Sequence, residues 1–223
     1  QLLHFNIQYI MFSNKYIKYL NDKTKDESFV DRLKIKFRPL IFPIQLLLEQ
    51  VNESDVVFDI GCGSGQFSLL AVHFKKVKKI RGIEIKKELV TNANRLFKKH
   101  APDIDYNFIQ YNGNTLPKEI SLCTKIFLND VLHHIPQEKQ IGFLKEIYTS
   151  MDDGATFILK DINASSPLVY FNKLHDIIFA GEIGKELTFD NALNILKEIG
   201  FKIIATDKRN IAVYPHYTII CKK

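Results

Sequence analysis

The residues with most to say about chemistry are three glycines at alternate positions. Val56-Val57-Phe58-Asp59-Ile60 is an apolar run carrying one acid, and Gly61-Cys62-Gly63-Ser64-Gly65 follows it directly. Glycine at 61, 63 and 65 allows a tight turn and lets backbone N–H groups approach a ligand closely. A strand-to-helix turn by itself needs only one such glycine, so the spacing predicts a small polar cofactor here. A dinucleotide fingerprint wants its third glycine at position 66, where Gln66 stands. Asp59 lies beside the loop, where its carboxylate repels a pyrophosphate and suits a ligand carrying an amine or sulfonium cation.

Two further positions extend the pattern. Glu84 closes Arg81-Gly82-Ile83-Glu84-Ile85 at the tip of a second apolar run. An acceptor-only carboxylate there can take both hydroxyls of a ribose; capping of the following helix is the alternative. Asn112, followed by Gly113, ends a third run, and its side-chain carbonyl can accept from an adenine amino group; a plain Asn-Gly turn is the competing expectation. Cys62, Ile85, Gly113 and Asn129 complete the candidate cofactor contacts.

These residues resemble the class I S-adenosylmethionine-dependent methyltransferases from Asp55 to the C-terminus. The Asp-x-Gly-x-Gly-x-Gly pattern of Asp59 to Gly65 matches that family's first motif, Glu84 its ribose-binding acid, and Asn112 a position more often occupied by Asp. The resemblance implies S-adenosyl-L-methionine as cofactor and S-adenosyl-L-homocysteine as product. It also implies a Rossmann-like, seven-stranded sheet of order 3-2-1-4-5-7-6 with an antiparallel last strand.

Methyl transfer from a sulfonium is an in-line displacement, so the protein positions the acceptor and, for an O–H or N–H acceptor, removes a proton. Catalytic groups are expected beyond the fourth and fifth strands. The fourth ends in Asn129-Asp130-Val131-Leu132-His133-His134, which resembles the Leu-His-His segment of many small-molecule methyltransferases. Adjacent histidines cannot face the same way. His133 is the candidate base facing the pocket, with His134 packing beneath; a purely structural role for both is the alternative. The fifth run ends in Lys160-Asp161, where Asp161 orients an acceptor, pairs with Lys160 in a structural salt bridge or caps a helix. His175, within a helical stretch from Ser166 to Ala180, is a second candidate base. No metal is expected, because no helical His-x-x-x-His spacing accompanies these residues.

The elements that must hold these groups follow from periodicity. Short apolar runs at Val56–Ile60, Ile80–Ile85, Tyr106–Ile109, Lys125–Leu128 and Ala155–Ile162 alternate with helical patterns at Phe67–Phe74, Glu88–Lys99 and Glu138–Met151. That alternation predicts βα units around a buried parallel sheet, an α/β fold. Phe189 to Ile199 reads as a helix stopped by Gly200, and Phe201–Thr206 and Tyr217–Cys221 as strands around Pro215. These two lack room for a crossover helix and should be antiparallel. Before Asp55, aromatic residues Phe5, Tyr9, Phe12 and Tyr16 recur at helical spacing, and Asp26–Phe37 and Ile41–Val51 read as two more helices. Residues 1–52 are thus expected to form a helical cap, and residues 53–223 the main domain, with an acceptor-side insertion at about 163–187.

Composition narrows the class without naming a partner. The chain has 223 residues, 46% hydrophobic and 25% charged, which disfavours disordered and membrane-spanning classes. With 31 Lys+Arg against 25 Asp+Glu the net charge is +6. The scattered lysine doublets lack interleaved aromatics, so a solvated face is expected rather than a nucleic-acid patch. Contact of the aromatic, lysine-bearing start with anionic lipid is an unsupported alternative. Cys62, Cys123 and Cys221 suggest neither a disulfide framework nor a zinc site. That usage and the absence of a secretion signal at Gln1-Leu2-Leu3 point to the cytoplasm.

The function these features favour is S-adenosylmethionine-dependent methylation of a small, partly apolar acceptor on oxygen or carbon. Nucleic-acid acceptors are disfavoured because Asn129-Asp130-Val131-Leu132 stands where many amino-group nucleic-acid enzymes carry Asn/Asp-Pro-Pro-Tyr/Phe. The rivals are a catalytically silent binding or scaffold subunit and a nicotinamide-dependent oxidoreductase.

Overall fold

Residues 14–24, 42–166, 184–211 and 214–223 are described by the computed structural model. Two helices, α1 (residues 14–23) and α2 (Ile44–Leu48), precede β1 (Val56–Ile60). There follow α3 (Gln66–Lys75), β2 (Lys79–Glu84), α4 (Lys87–His100), β3 (Asp105–Gln110), a 3₁₀ turn at Lys118–Leu122 and β4 (Lys125–Asn129). A second 3₁₀ turn at Leu132–His134 leads to α5 (Gln137–Ser150), β5 (Thr156–Ile162), α6 (Phe189–Ile199), β6 (Lys202–Ile211) and β7 (Tyr214–Lys222).

Burial on both faces explains which runs became central strands. β5 is buried at every residue and β1 from Val57 onward, as parallel strands covered by helices on both sides must be. The seven strands form one sheet of order β3-β2-β1-β4-β5-β7-β6. β1 pairs parallel with β2 and β4, β2 with β3, and β4 with β5, while β7 runs antiparallel to both β5 and β6. The α/β, Rossmann-like expectation with its antiparallel ending is therefore met.

Side chains alternate across the sheet and create two cores. On one face Val57, Phe127 and Ile158 pack with Tyr16, Leu20, Phe42, Leu47, Leu69 and Phe97, which come from α1, α2, α3, α4 and the segment before α2. On the other, Phe58, Leu128, Phe157, Leu159 and Tyr217 pack with Leu144, Ile147, Ala192 and Leu196 of α5 and α6. The described N-terminal helices contribute to the first core. α6 is closed at both ends: Thr188 Oγ1 accepts the Asn191 N–H at 3.2 Å, and Gly200 takes the left-handed C-terminal conformation at φ 118°.

Some expected boundaries shift. The final strands are longer than the sequence suggests, because β6 and β7 form a hairpin with Ile211 opposite Tyr214, and Pro215 lies inside β7 opposite Asn210 rather than between strands. Proline is tolerated there because it sits at the start of the strand, before the β5 partner begins at His216. Among the described residues of the expected Ile41–Val51 helix, Ile44–Leu48 is helical, starting after Pro43. The expected helix at Asp26–Phe37, the aromatics Phe5, Tyr9 and Phe12, and most of Ser166–Ala180, including His175, lie outside the described residues.

Gly61 fixes the exit from β1. Its φ is +73°, and a Cβ built there would lie 2.3 Å from Cγ2 of Val131. Gly61→Ala combines left-handed strain of about 1–2 kcal/mol with overpacking of about 1–3 kcal/mol. Urea denaturation should show a loss in that combined range. Adding Val131→Ala should recover the steric part but not the backbone part; full recovery would mean the φ carries no cost.

Candidate active site at the strand ends

The glycine loop is anchored to β2 before it can turn. The N–H groups of Gly61 and Cys62 both donate to the Ile83 carbonyl, at 2.8 and 3.0 Å. Glu84, the next residue, clasps the crevice from the same side. Its Oε2 accepts the Gly63 N–H at 3.1 Å and its Oε1 the Lys86 N–H at 3.0 Å. Each of these oxygens retains a lone pair, so the half-buried carboxylate can still take hydroxyls. Capping and ligand binding, read as alternatives in the sequence, are compatible at this side chain.

Asp59 is buried under the loop, where its Oδ2 accepts the Ser68 hydroxyl at 2.8 Å. It lines a cleft of about 440 Å³, open mouth included, together with Gly61, Cys62, Gln66 and Asn129. The remaining walls are apolar: Leu20, Phe42, Ile44, Phe67 and Leu70. Asn129 is 5% exposed, and neither its Oδ1 nor its Nδ2 has a hydrogen-bond partner. A buried amide left open on both atoms at a cleft wall fits a polar ligand that completes it. With Asp59 suited to a cation and Glu84 to vicinal hydroxyls, these residues fit an adenosyl sulfonium. Cys62 is no nucleophile: burial, reinforced by the carboxylates of Asp59 and Glu84, pushes its thiol well above the usual range.

The turn after β3 is less committed to a ligand. Asn112 is exposed, and its Oδ1 accepts the N–H groups of Asn114 and Thr115 at 2.9 and 3.4 Å, so the oxygen expected to meet an adenine amino group is holding its own turn. Gly113 continues that turn at φ +81°, with open space where a Cβ would be. Ile85, next to Glu84, is 62% exposed.

Beyond β4 and β5 the charged residues divide into two pairs. Lys160 does not pair with Asp161, because consecutive strand residues point to opposite faces. The Lys160 ammonium, wholly buried, binds the Asp130 carboxylate and lies 4.6 Å from the centre of the Phe42 ring. Asp161 instead holds His133: its Oδ1 meets Nδ1, and its Oδ2 accepts the His133 N–H at 3.2 Å. That arrangement fixes the imidazole, and neither His133 nor Asp161 is among the residues lining the cleft of Asp59 and Asn129. The burial order of the two histidines reverses expectation: His133 is 3% exposed and His134 is half-buried, with their rings 4.1 Å apart. Among the described residues no group of three or more His, Cys, Asp or Glu side chains is placed to hold a metal ion.

Nothing in the spacing of the sequence singles out Asp130. It occupies the left-handed region at φ 55°, an unusual conformation for a non-glycine residue. Burial raises its carboxyl, but Lys160, with help from His216 and His133, outweighs that and holds it well below the usual carboxylate range. Strand parity, applied to Lys160-Asp161, would have excluded the pairing between them; it would not have supplied Asp130.

The asymmetry of this pair is measurable. Asp130→Ala removes the carboxylate from a fully buried ammonium and should cost about 3–5 kcal/mol. Lys160→Met leaves a carboxylate still 24% exposed to water and should cost less, and the double variant should recover much of the Asp130→Ala loss. Because the folded-state value is depressed, Asp130 stabilises above its unfolded value of about 3.9 and loses that contribution as pH falls further. Urea midpoints measured down through pH 4 should therefore fall less steeply in Asp130→Ala than in the parent.

A family model described as a methyltransferase domain matches residues 52–204. Sphingolipid C9-methyltransferase of Komagataella phaffii is 25% identical over 211 residues, covering 89% of this chain and 41% of that protein. Ribosomal protein L11 methyltransferase of Staphylococcus saprophyticus is 30% identical over 112 residues, covering 50% of this chain and 33% of its own length. The chain thus spans less than half the length of these curated relatives. Among solved structures, magnesium protoporphyrin IX methyltransferase from Synechocystis PCC 6803 with bound S-adenosylhomocysteine superposes with a TM-score of 0.64 at 19% identity, covering 81% of this chain and 80% of the other. That likeness speaks to the fold, while the family match covers more than half of the sequence together with its glycine loop, Glu84 and the strand ends beyond. The chain belongs to the class I S-adenosylmethionine-dependent methyltransferase family.

Proposed function

We propose that this protein transfers a methyl group from S-adenosylmethionine to oxygen or carbon of a small, partly apolar acceptor. The observation carrying the proposal is the clasp of Glu84 on Gly63, next along the loop from a cleft lined by Asp59, Gly61, Cys62 and the open amide of Asn129. When bound, the cofactor supplies an electrophilic methyl carbon on a positively charged sulfur.

The chain's own residues then have distinct tasks. Glu84 takes the ribose hydroxyls, Asp59 attracts the cationic end, and the loop of Gly61, Cys62, Gly63 and Gly65 gives backbone close approach. Ile85 covers one face of the purine, and the turn of Asn112 and Gly113 borders its edge, while Asn129 binds where the cleft turns toward the acceptor. Leu20, Phe42, Ile44 and Phe67 exclude water and favour an apolar acceptor body. His133, oriented by Asp161, removes the acceptor proton, and His175 in the 163–187 insertion is the second candidate base. Residues 1–52 act as the cap and residues 53–223 as the catalytic domain. A relative named for a sphingolipid substrate supports an apolar acceptor; one named for a ribosomal protein keeps a protein acceptor as an outcome to be tested. Among the described residues no helix is long and apolar enough to cross a membrane.

Calorimetric titration with S-adenosylmethionine tests the cofactor assignment. Binding is expected in the parent, and Glu84→Ala should weaken it by about tenfold or more, the worth of hydrogen bonds to a charged group. Absence of binding in the parent would overturn the assignment. Release of S-adenosylhomocysteine with alcohol, phenol and protein acceptors tests the chemistry. His133→Ala should leave cofactor affinity nearly intact while cutting turnover by about 10²-fold or more. Unchanged turnover would remove His133 from the mechanism, and binding without turnover on any acceptor would favour a silent cofactor-fold subunit.

A further inference from the structure

Ser68 is the one polar side chain in the buried run Ser68-Leu69-Leu70-Ala71 of α3. It is wholly buried and is not part of the cleft wall, whereas Asp59, itself 2% exposed, is. The Ser68 hydroxyl donates to Oδ2 of Asp59 at 2.8 Å. Ser68 therefore reaches a ligand in the cleft only through Asp59.

Core packing does not call for a hydroxyl at this position. Alanine is the better helix former, and a buried hydroxyl without a partner costs about 1–3 kcal/mol. What this hydroxyl meets is a carboxylate, and a hydrogen bond to an ionised acceptor is shorter and stronger than one between neutral groups. Such a bond also favours the ionised form of a carboxylate, which burial opposes. The contact has a geometric side as well. Asp59 stands on β1 before the glycine loop and Ser68 in the first turn of α3 after it, so their bond ties the two ends of the loop together. That first turn is itself fixed, with the Leu69 N–H donating to the Gly65 carbonyl at 2.9 Å. A carboxylate held at one oxygen from a fixed helix keeps a single orientation at the cleft.

We propose that Ser68 is a positioning residue for the cofactor: through its hydrogen bond it holds the Asp59 carboxylate where it meets the cationic end of S-adenosylmethionine. This inference rests on the methyltransferase reading and adds to it a residue that never touches the ligand. Its consequence is selective. Ser68 matters to adenosyl ligands that carry a cation and not to those that lack one.

Calorimetric titration with two probes tests this. S-adenosylmethionine carries a sulfonium and an ammonium; 5′-methylthioadenosine has the same adenosine on a neutral thioether. Ser68→Ala should weaken S-adenosylmethionine by about threefold to tenfold, the net worth of one hydrogen bond, and leave methylthioadenosine unchanged. Ser68→Cys, close in volume and a weaker donor, should fall between parent and Ser68→Ala. In an Asp59→Ala background, Ser68→Ala should change neither affinity, because the residue through which it acts is gone. Equal losses for the two probes would make Ser68 a packing residue and overturn the inference. So would an unchanged S-adenosylmethionine affinity in Ser68→Ala, or a loss that persists without Asp59. Failure of the parent to bind S-adenosylmethionine would instead overturn the cofactor assignment, and this inference with it.

Discussion

The position of β1 between β2 and β4 governs everything else in this molecule. After β1 the chain builds outward through α3, β2, α4 and β3, packing its helices on one face; after β3 it returns to β4 on the other side of β1 and packs α5 on the opposite face. A crevice must open where the two directions part, at the C-terminal end of β1, and ligands of open α/β sheets bind at such points. The double hydrogen bond from Gly61 and Cys62 to the Ile83 carbonyl keeps that exit against β2. Gly61, whose missing Cβ makes room for Val131, lets the segment after β4 close the other wall.

The same geometry divides the charged residues beyond β4 and β5. Strand parity sends Lys160 to the face shared with Phe42 and Asn129, and Asp161 to the face shared with Tyr217. One network is a buried ion pair whose cation is also covered by an aromatic ring. The other is a carboxylate–imidazole dyad. Neither is an economical way to stabilise a fold, since buried ion pairs often do no better than apolar residues of equal volume. Their location at the ligand-binding edge of the sheet accounts for them better than stability does. Functional sites are where local rules are expected to break, and the left-handed Asp130 breaks one.

Much of the architecture was legible because its signals are local. Alternating apolar runs and helical periodicities identified the five parallel strands to within a residue or two, and α6 from its first to last residue, with Gly200 marking its end. The glycine spacing marked the tight turn after β1 for the same reason: a loop's requirement for positive φ is written in the residues that form it. Less could be read where two segments had to meet. The extent of β6 and β7 depended on pairing across their hairpin, and the short α2 on where Pro43 let a helix begin.

By itself, then, the sequence determined the order of the elements, the antiparallel ending and the chemical character of the glycine loop, each a consequence of neighbours along the chain. Tertiary structure decided the partners. Asn112 spends its oxygen on its own turn, Lys160 takes Asp130 rather than Asp161, His133 is buried more deeply than His134, and the amide of Asn129 is left open at the cleft wall. Those outcomes depend on which side chains from distant strands face one another across about 5 Å. No spacing along a single segment encodes that distance.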